Sequence, residues 1–159
     1  MSTTGSVVLG YNAADITVSS QTLGSAAAFA IAFSASQAGI IEACLFVSLP
    51  ANHGGFALNW LLPTTTWPFA RIRDDWSVTE VGTDAPPYFY QTPGINDPQH
   101  ADTVIVARPD SRARIIKVRG TAMFKAPAGG GAINLQGCLA GSGASVVIQA
   151  GSAVEGRLY

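Results

Sequence analysis

Apolar and small or polar residues alternate along most of this chain with a period of two, the repeat of β-strands that turn one face to a core. In AFAIAF the alternation puts Phe29, Ile31 and Phe33 on one face and alanines on the other. IIEACLFVSL, from Ile40 to Leu49, predicts a long strand stopped by Pro50. ANHGG reads as a turn, and GFALNWLL then places Phe56, Leu58, Trp60 and Leu62 on one face before Pro63. In WPFARIRDDW, Phe69 alternates with Arg71 and Arg73; Asp74 and Asp75 read as a turn, and WSVTEV resumes a strand with Trp76 in a core position.

From Gly82 to Ala101 the pattern weakens into a long proline-rich loop, relieved by one short aromatic strand from Tyr88 to Tyr90. TVIVA predicts a strand and RPDS a turn. RIIKVRGTAMFKA is a long strand with Ile116, Val118 and Met123 as core candidates and Gly120 as a bend or bulge. APAGGG is a hairpin turn, and AINLQGCLA and SVVIQ are strands separated by GSGA. The last segment alternates Val154 and Leu158 inward with Glu155 and Arg157 outward. Some eight to ten strands with turns every 8–12 residues define an all-β domain, the spacing of antiparallel sandwiches and barrels. Helix signals are almost absent. Residues 23–159 form the sandwich, and the Ser/Thr-rich residues 1–22 fit an N-terminal arm or an edge strand equally well.

Composition changes this picture in one respect. Charged residues make up 12% of the 159 and hydrophobic ones 48%, with mean hydropathy +0.28. Globular domains carry about 25% charged residues. The surface is therefore covered by small and amide residues or buried against other chains, and the second option fits the hydropathy better. A net charge of −1 offers no electrostatic footprint for nucleic acid. The basic residues between Arg108 and Lys125 are expected to alternate outward along strands. No signal peptide or membrane-length apolar run is visible, so a soluble product made in the cytoplasm is expected.

Chemistry is sparse. Cys44 and Cys138 lie in apolar stretches without metal-ligand spacing and read as small buried hydrophobes, bridged only if their strands are neighbours. His53 and His100 read as surface loop residues. Asp97 and Asp102 flank His100 but match no calcium-loop spacing. No triad, metal set or phosphate loop appears, so neither an enzyme nor a bound cofactor is expected. Trp67, next to Pro68, is the best candidate for an exposed binding aromatic, followed by Tyr88 and Tyr90 in the proline-rich segment. Trp60 and Trp76 fit core positions instead.

The order of motifs from Arg114 onward carries a resemblance. Gly120-Thr121, the glycine turn at 129–131, Leu135-Gln136, the valine-rich strand 146–148 and Ala150-Gly151-Ser152 follow one another as in a module of tailed-bacteriophage virion proteins. IIEACLFVSL and GFALNWLLP match its earlier strands more loosely, so the resemblance runs over most of residues 23–159. It implies a two-sheet antiparallel jelly-roll sandwich, similar to the tumour-necrosis-factor-like fold, that assembles as a homotrimer. Such modules serve as capsid decoration proteins, head fibres and tail-fibre knobs. No coiled-coil or collagen-like stretch is present, which favours decoration, with the major capsid protein or other virion proteins as partners and the virion as location. Residues 2–15 and one end of the sandwich would then grip neighbouring capsid subunits. The alternative is a fibre knob that recognises a host glycan through Trp67 or Tyr88.

Overall fold

The computed structural model describes residues 6–61, 73–84, 88–91, 104–125 and 129–159. Its twelve strands are β1 (Ser6–Tyr11), β2 (Ile16–Val18), β3 (Gly24–Phe33), β4 (Ala38–Leu49), β5 (Phe56–Leu61), β6 (Arg73–Glu80), β7 (Tyr88–Gln91), β8 (Val104–Ala107), β9 (Arg114–Lys125), β10 (Gly131–Cys138), β11 (Val146–Ile148) and β12 (Ala153–Leu158). They form an eight-stranded sheet, ordered β1-β12-β4-β9-β6-β7 with β11 also beside β4 and β2 beside β11, and a four-stranded sheet ordered β3-β10-β5-β8.

Among the described residues all strand pairings are antiparallel, and they nest. β1 pairs β12, β3 pairs β10, β4 pairs β9 and β5 pairs β8. That nesting is a long antiparallel ribbon rolled so that successive pairs fall in alternate sheets, a jelly-roll sandwich. The hairpin β6–β7 is an addition between β5 and β8, docked on the far side of β9. No helix among the described residues is long and apolar enough to cross a membrane.

The alternation read from sequence fills the space between the sheets. On β4 the inward set Ile41, Ala43, Leu45, Val47 and Leu49 is buried, and it meets Phe29, Ile31, Phe33, Phe56, Leu58, Ile133 and Leu135 from the opposite sheet. Trp60 and Trp76 stack across the core with centroids 5.6 Å apart. Such a pair contributes about 0.5–1.5 kcal/mol beyond its buried area.

Ser6–Tyr11 and Ile16–Val18 are paired strands of the larger sheet. Several expectations are corrected. Asp74 and Asp75 lie within β6, paired with Ala122 and Thr121, because β9 templates β6 over its full length. Gly120 is neither bend nor bulge: it pairs in unbroken register with Ala43 on one side and Trp76 on the other. A bulge would have shifted the alternation by one residue. Without it, Gly120, Ala122 and Phe124 face inward and Met123 faces out, 45% exposed.

A polar knot joins the halves of the outer strands. β1 and β2 face β12 and β11 in one register, interrupted on both sides at residues 12–15 and 149–152. The buried Ser152 hydroxyl accepts from Phe46 N–H (3.0 Å) and donates to Gln149 C=O (2.8 Å). Asn12, also buried, donates from Nδ2 to the carbonyls of Ala14 and Gln149. Ala150 N–H donates to the Asp15 carboxylate, and Gly151, at φ +90°, makes the turn. The Ala-Gly-Ser motif is thus a side-chain replacement for a missing stretch of ladder.

Candidate interaction face

The outward positions of the larger sheet line up in rows fixed by its register. One row reads Val7, Arg157, Ile40, Met123; the next Leu9, Glu155, Glu42, Thr121; the next Tyr11, Ala153, Cys44, Arg119, Ser77. Val7 and Leu9 are each 64% exposed and Tyr11 56%, so β1 forms an apolar ridge along the sheet edge. Behind the ridge the residues are small. Ala153 pairs with Cys44, and Thr121 follows Gly120, which leaves a groove of about 320 Å3 lined by Leu9, Glu42, Cys44, Arg119, Thr121 and Glu155.

Charges frame the groove in both signs. Arg157 Nε lies 3.0 Å from Glu155 and its Nη2 3.6 Å from Glu42. The hydrogen bond to Glu155, then the charges of Glu155 and Glu42, raise the Arg157 pKa further above its ordinary value. Exposed pairs of this kind add little to stability and serve better as registers for a partner. Lys117 Nζ sits 5.3 Å over the Phe46 ring on the same face.

The strands of the smaller sheet contain no Asp, Glu, Lys or Arg at all. Its outward positions include Ala30, Ala32, Ala132, Asn59, Asn134 and Gln136. The low charge of the chain is therefore concentrated on one sheet, whose outward positions carry exposed or partly exposed small and amide residues, the Asn59 side-chain oxygen being buried.

The residues singled out from sequence fall as follows. Trp67, His100, Asp97 and Asp102 lie outside the described residues. Tyr88 and Tyr90 are on β7, with backbones paired to Val78 and Trp76. Trp60 and Trp76 are buried as expected. Both cysteines are free: Cys138 is buried, and burial pushes its thiol pKa up, whereas Cys44 is half-exposed on the outer face, not a core residue. Among the described residues no cluster of three or more His, Cys, Asp or Glu is placed to hold a metal ion. Lys117, Arg119 and Lys125 take the outward positions of β9, as the alternation requires; Arg108 and Arg112 are exposed in the connection before it, but Arg114, opposite Leu49, has the inward parity of Ile116 and Val118 and is 16% exposed at the strand's start, where it pairs with Asp110.

His53 is the clearest departure: it is 1% exposed, not a surface residue. Its backbone bridges to Asp110 and Ala144, so it is held where the β4–β5, β8–β9 and β10–β11 connections meet. Burial, then the Arg114 charge, lowers its pKa below 6.5, while Asp110 pulls the other way.

No family model, curated protein or solved structure matches the chain.

Proposed function

We propose that this chain is a structural virion protein of a tailed bacteriophage, a homotrimer of jelly-roll sandwiches that decorates and stabilises the capsid. The reading rests on the ordered motifs of residues 114–159 and on one observation above the others, the exposed ridge of Val7, Leu9 and Tyr11 beside a mixed-charge groove. Contiguous apolar surface of this kind marks an interaction site. Ridge and groove adjoin on one face and share Leu9. In the homotrimer the ridge of one copy would seat head to tail against the next copy's groove and the ring would close after three copies, whereas reciprocal seating of ridge and groove would give a two-fold dimer, which native mass tells apart. Charges of both signs at the groove rim suit contact with an identical face. Trimers bridging several capsid subunits would stabilise the shell by mass action and avidity.

The arm expected to grip the shell is constrained by the fold. Deleting residues 2–15 would remove β1 and leave β12 paired on its β4 side alone, so point changes are the cleaner probe. The test is native mass and co-sedimentation with undecorated capsids, for the wild type and for Val7→Asp with Leu9→Asp. Burying one such side chain contributes about 1.5–3 kcal/mol, so each change should weaken assembly tenfold or more. A wild-type monomer refutes the trimer. A trimer that ignores capsids refutes decoration and leaves the fibre knob with a glycan ligand. A trimer untouched by both substitutions refutes the face.

A further inference from the structure

We propose that His53 is an acid-operated latch that holds one end of the sandwich closed while its ring is neutral. The inference is independent of the assembly reading. Four connections meet at this end. Gly54 N–H donates to Ala144 C=O (3.1 Å), Gly141 N–H to Gly54 C=O (2.8 Å), Ala144 N–H to Asn52 C=O (2.8 Å), and Leu139 N–H to Ser20 C=O (2.8 Å). The backbones of the β4–β5 and β10–β11 turns touch directly: a Cβ at Gly143 would lie 2.6 Å from the His53 carbonyl carbon. His53 sits beneath this junction, and its Nδ1 accepts the Gly55 N–H at 3.0 Å.

That bond fixes the tautomer. With Nδ1 accepting, the proton of the neutral ring is on Nε2, which is buried and has no partner among the described residues. Taking up a second proton turns Nδ1 into a donor facing the Gly55 donor. Gly55 cannot simply turn away: it holds φ +74°, and its Cα side lies against the backbones of Arg108 and Pro109. The new charge would also be enclosed. The charged groups that face the ring are Asp110 and Arg114, and Asp110 is already engaged by Arg112 (3.2 Å) and Arg114 (2.9 Å). The β10–β11 turn and the β2–β3 connection bring no charged residue. The low-energy place for a protonated His53 is therefore solvent, and reaching it separates the turns that pack over the ring. The lowered pKa has the matching sign: the closed form binds the proton more weakly than an open form with an ordinary value near 6.5. Closure is complete above that value and is lost as pH falls below it.

The test is hydrogen exchange of the full chain by NMR between pH 7.5 and 5, with protection factors corrected for intrinsic rates. The amides of Gly54, Gly55, Gly141 and Ala144 should lose protection together below pH 6.5, by up to tenfold per pH unit, the slope of a single linked proton. Amides of the β4–β9 ladder should hold. In His53→Gln, which cannot gain the charge, the pH dependence should vanish. Should that variant fail to fold, the wild-type ring decides, because its C–H shift must titrate below 6.5 alongside the loop amides. Loop protection indifferent to pH, a ring titrating at the ordinary value, or a loss that persists in His53→Gln overturns the latch.

Discussion

Replacing Gly120 by alanine tests the packing argument at its most constrained point. Gly120 faces the core from β9, directly opposite Trp76 on β6. The Trp76 indole lies flat over it: an added Cβ would be 2.7 Å from Cη2 and closer still to Cζ3 and Cε3. The ring has nowhere to go, because it is 1% exposed and stacked on Trp60. Overpacking of a tight core costs about 1–3 kcal/mol. Removing a glycine recovers about 0.4–1 kcal/mol through the unfolded chain. The net is a destabilisation of about 1–2 kcal/mol, or roughly 2–8 °C in Tm for a domain of this size. Denaturant unfolding should show a lower midpoint at unchanged slope. The origin of the cost is then checked by a cycle with Trp76→Phe, which removes the offending benzo ring. The double variant should be less destabilised than the sum of the singles by about 1 kcal/mol. Additivity within about 0.5 kcal/mol, or a Gly120→Ala protein as stable as the wild type, refutes the reasoning.

Two further outcomes are expected. Ser152→Ala leaves Phe46 N–H and Gln149 C=O without their shared hydroxyl, a loss of about 1–3 kcal/mol read as a lower urea midpoint; no change would mean that the knot is ornamental. A thiol reagent at pH 8 should label Cys44 before Cys138 in any variant that is monomeric, and Cys44 should be protected in the assembled wild type, since it lines the groove. Equal labelling of Cys44 in both would place the interface elsewhere.

The sheets were legible because alternation is a local property. Phe29, Ile31 and Phe33, or Val154 and Leu158, are buried wherever their strands lie, since a sandwich core takes one face of every strand. Met123 was misplaced by one step of logic. A glycine in a strand predicts a break in register, but here it makes room for a ring from a neighbouring strand. His53 was misplaced for a related reason. A turn rich in glycine looks exposed in sequence, yet the same glycines let three connections close over the ring.

The outer face was less legible, and the reason is topological. Val7, Leu9 and Tyr11 stand almost alone in a polar N-terminal stretch, and Cys44, Thr121 and Ala153 are far from them and from each other in the chain. What joins them is the nesting of strand pairs, which puts the first strand beside the last and the last beside the fourth. Once that order is known, the parity of each strand assigns the face without further information. The edge strand also explains why the ridge is exposed. Among the described strands the outward side chains of β1 are flanked on the β12 side only, whereas Ile40 on β4 is crowded from both sides and is only partly exposed. An unprotected edge carrying three apolar side chains is a liability for a lone monomer, and natural edges are normally blunted by charge or proline. The β1 sequence SVVLGY has neither, which is why the proposed homotrimer, if it forms, should bury this edge and why Val7 and Leu9 are the positions that test it.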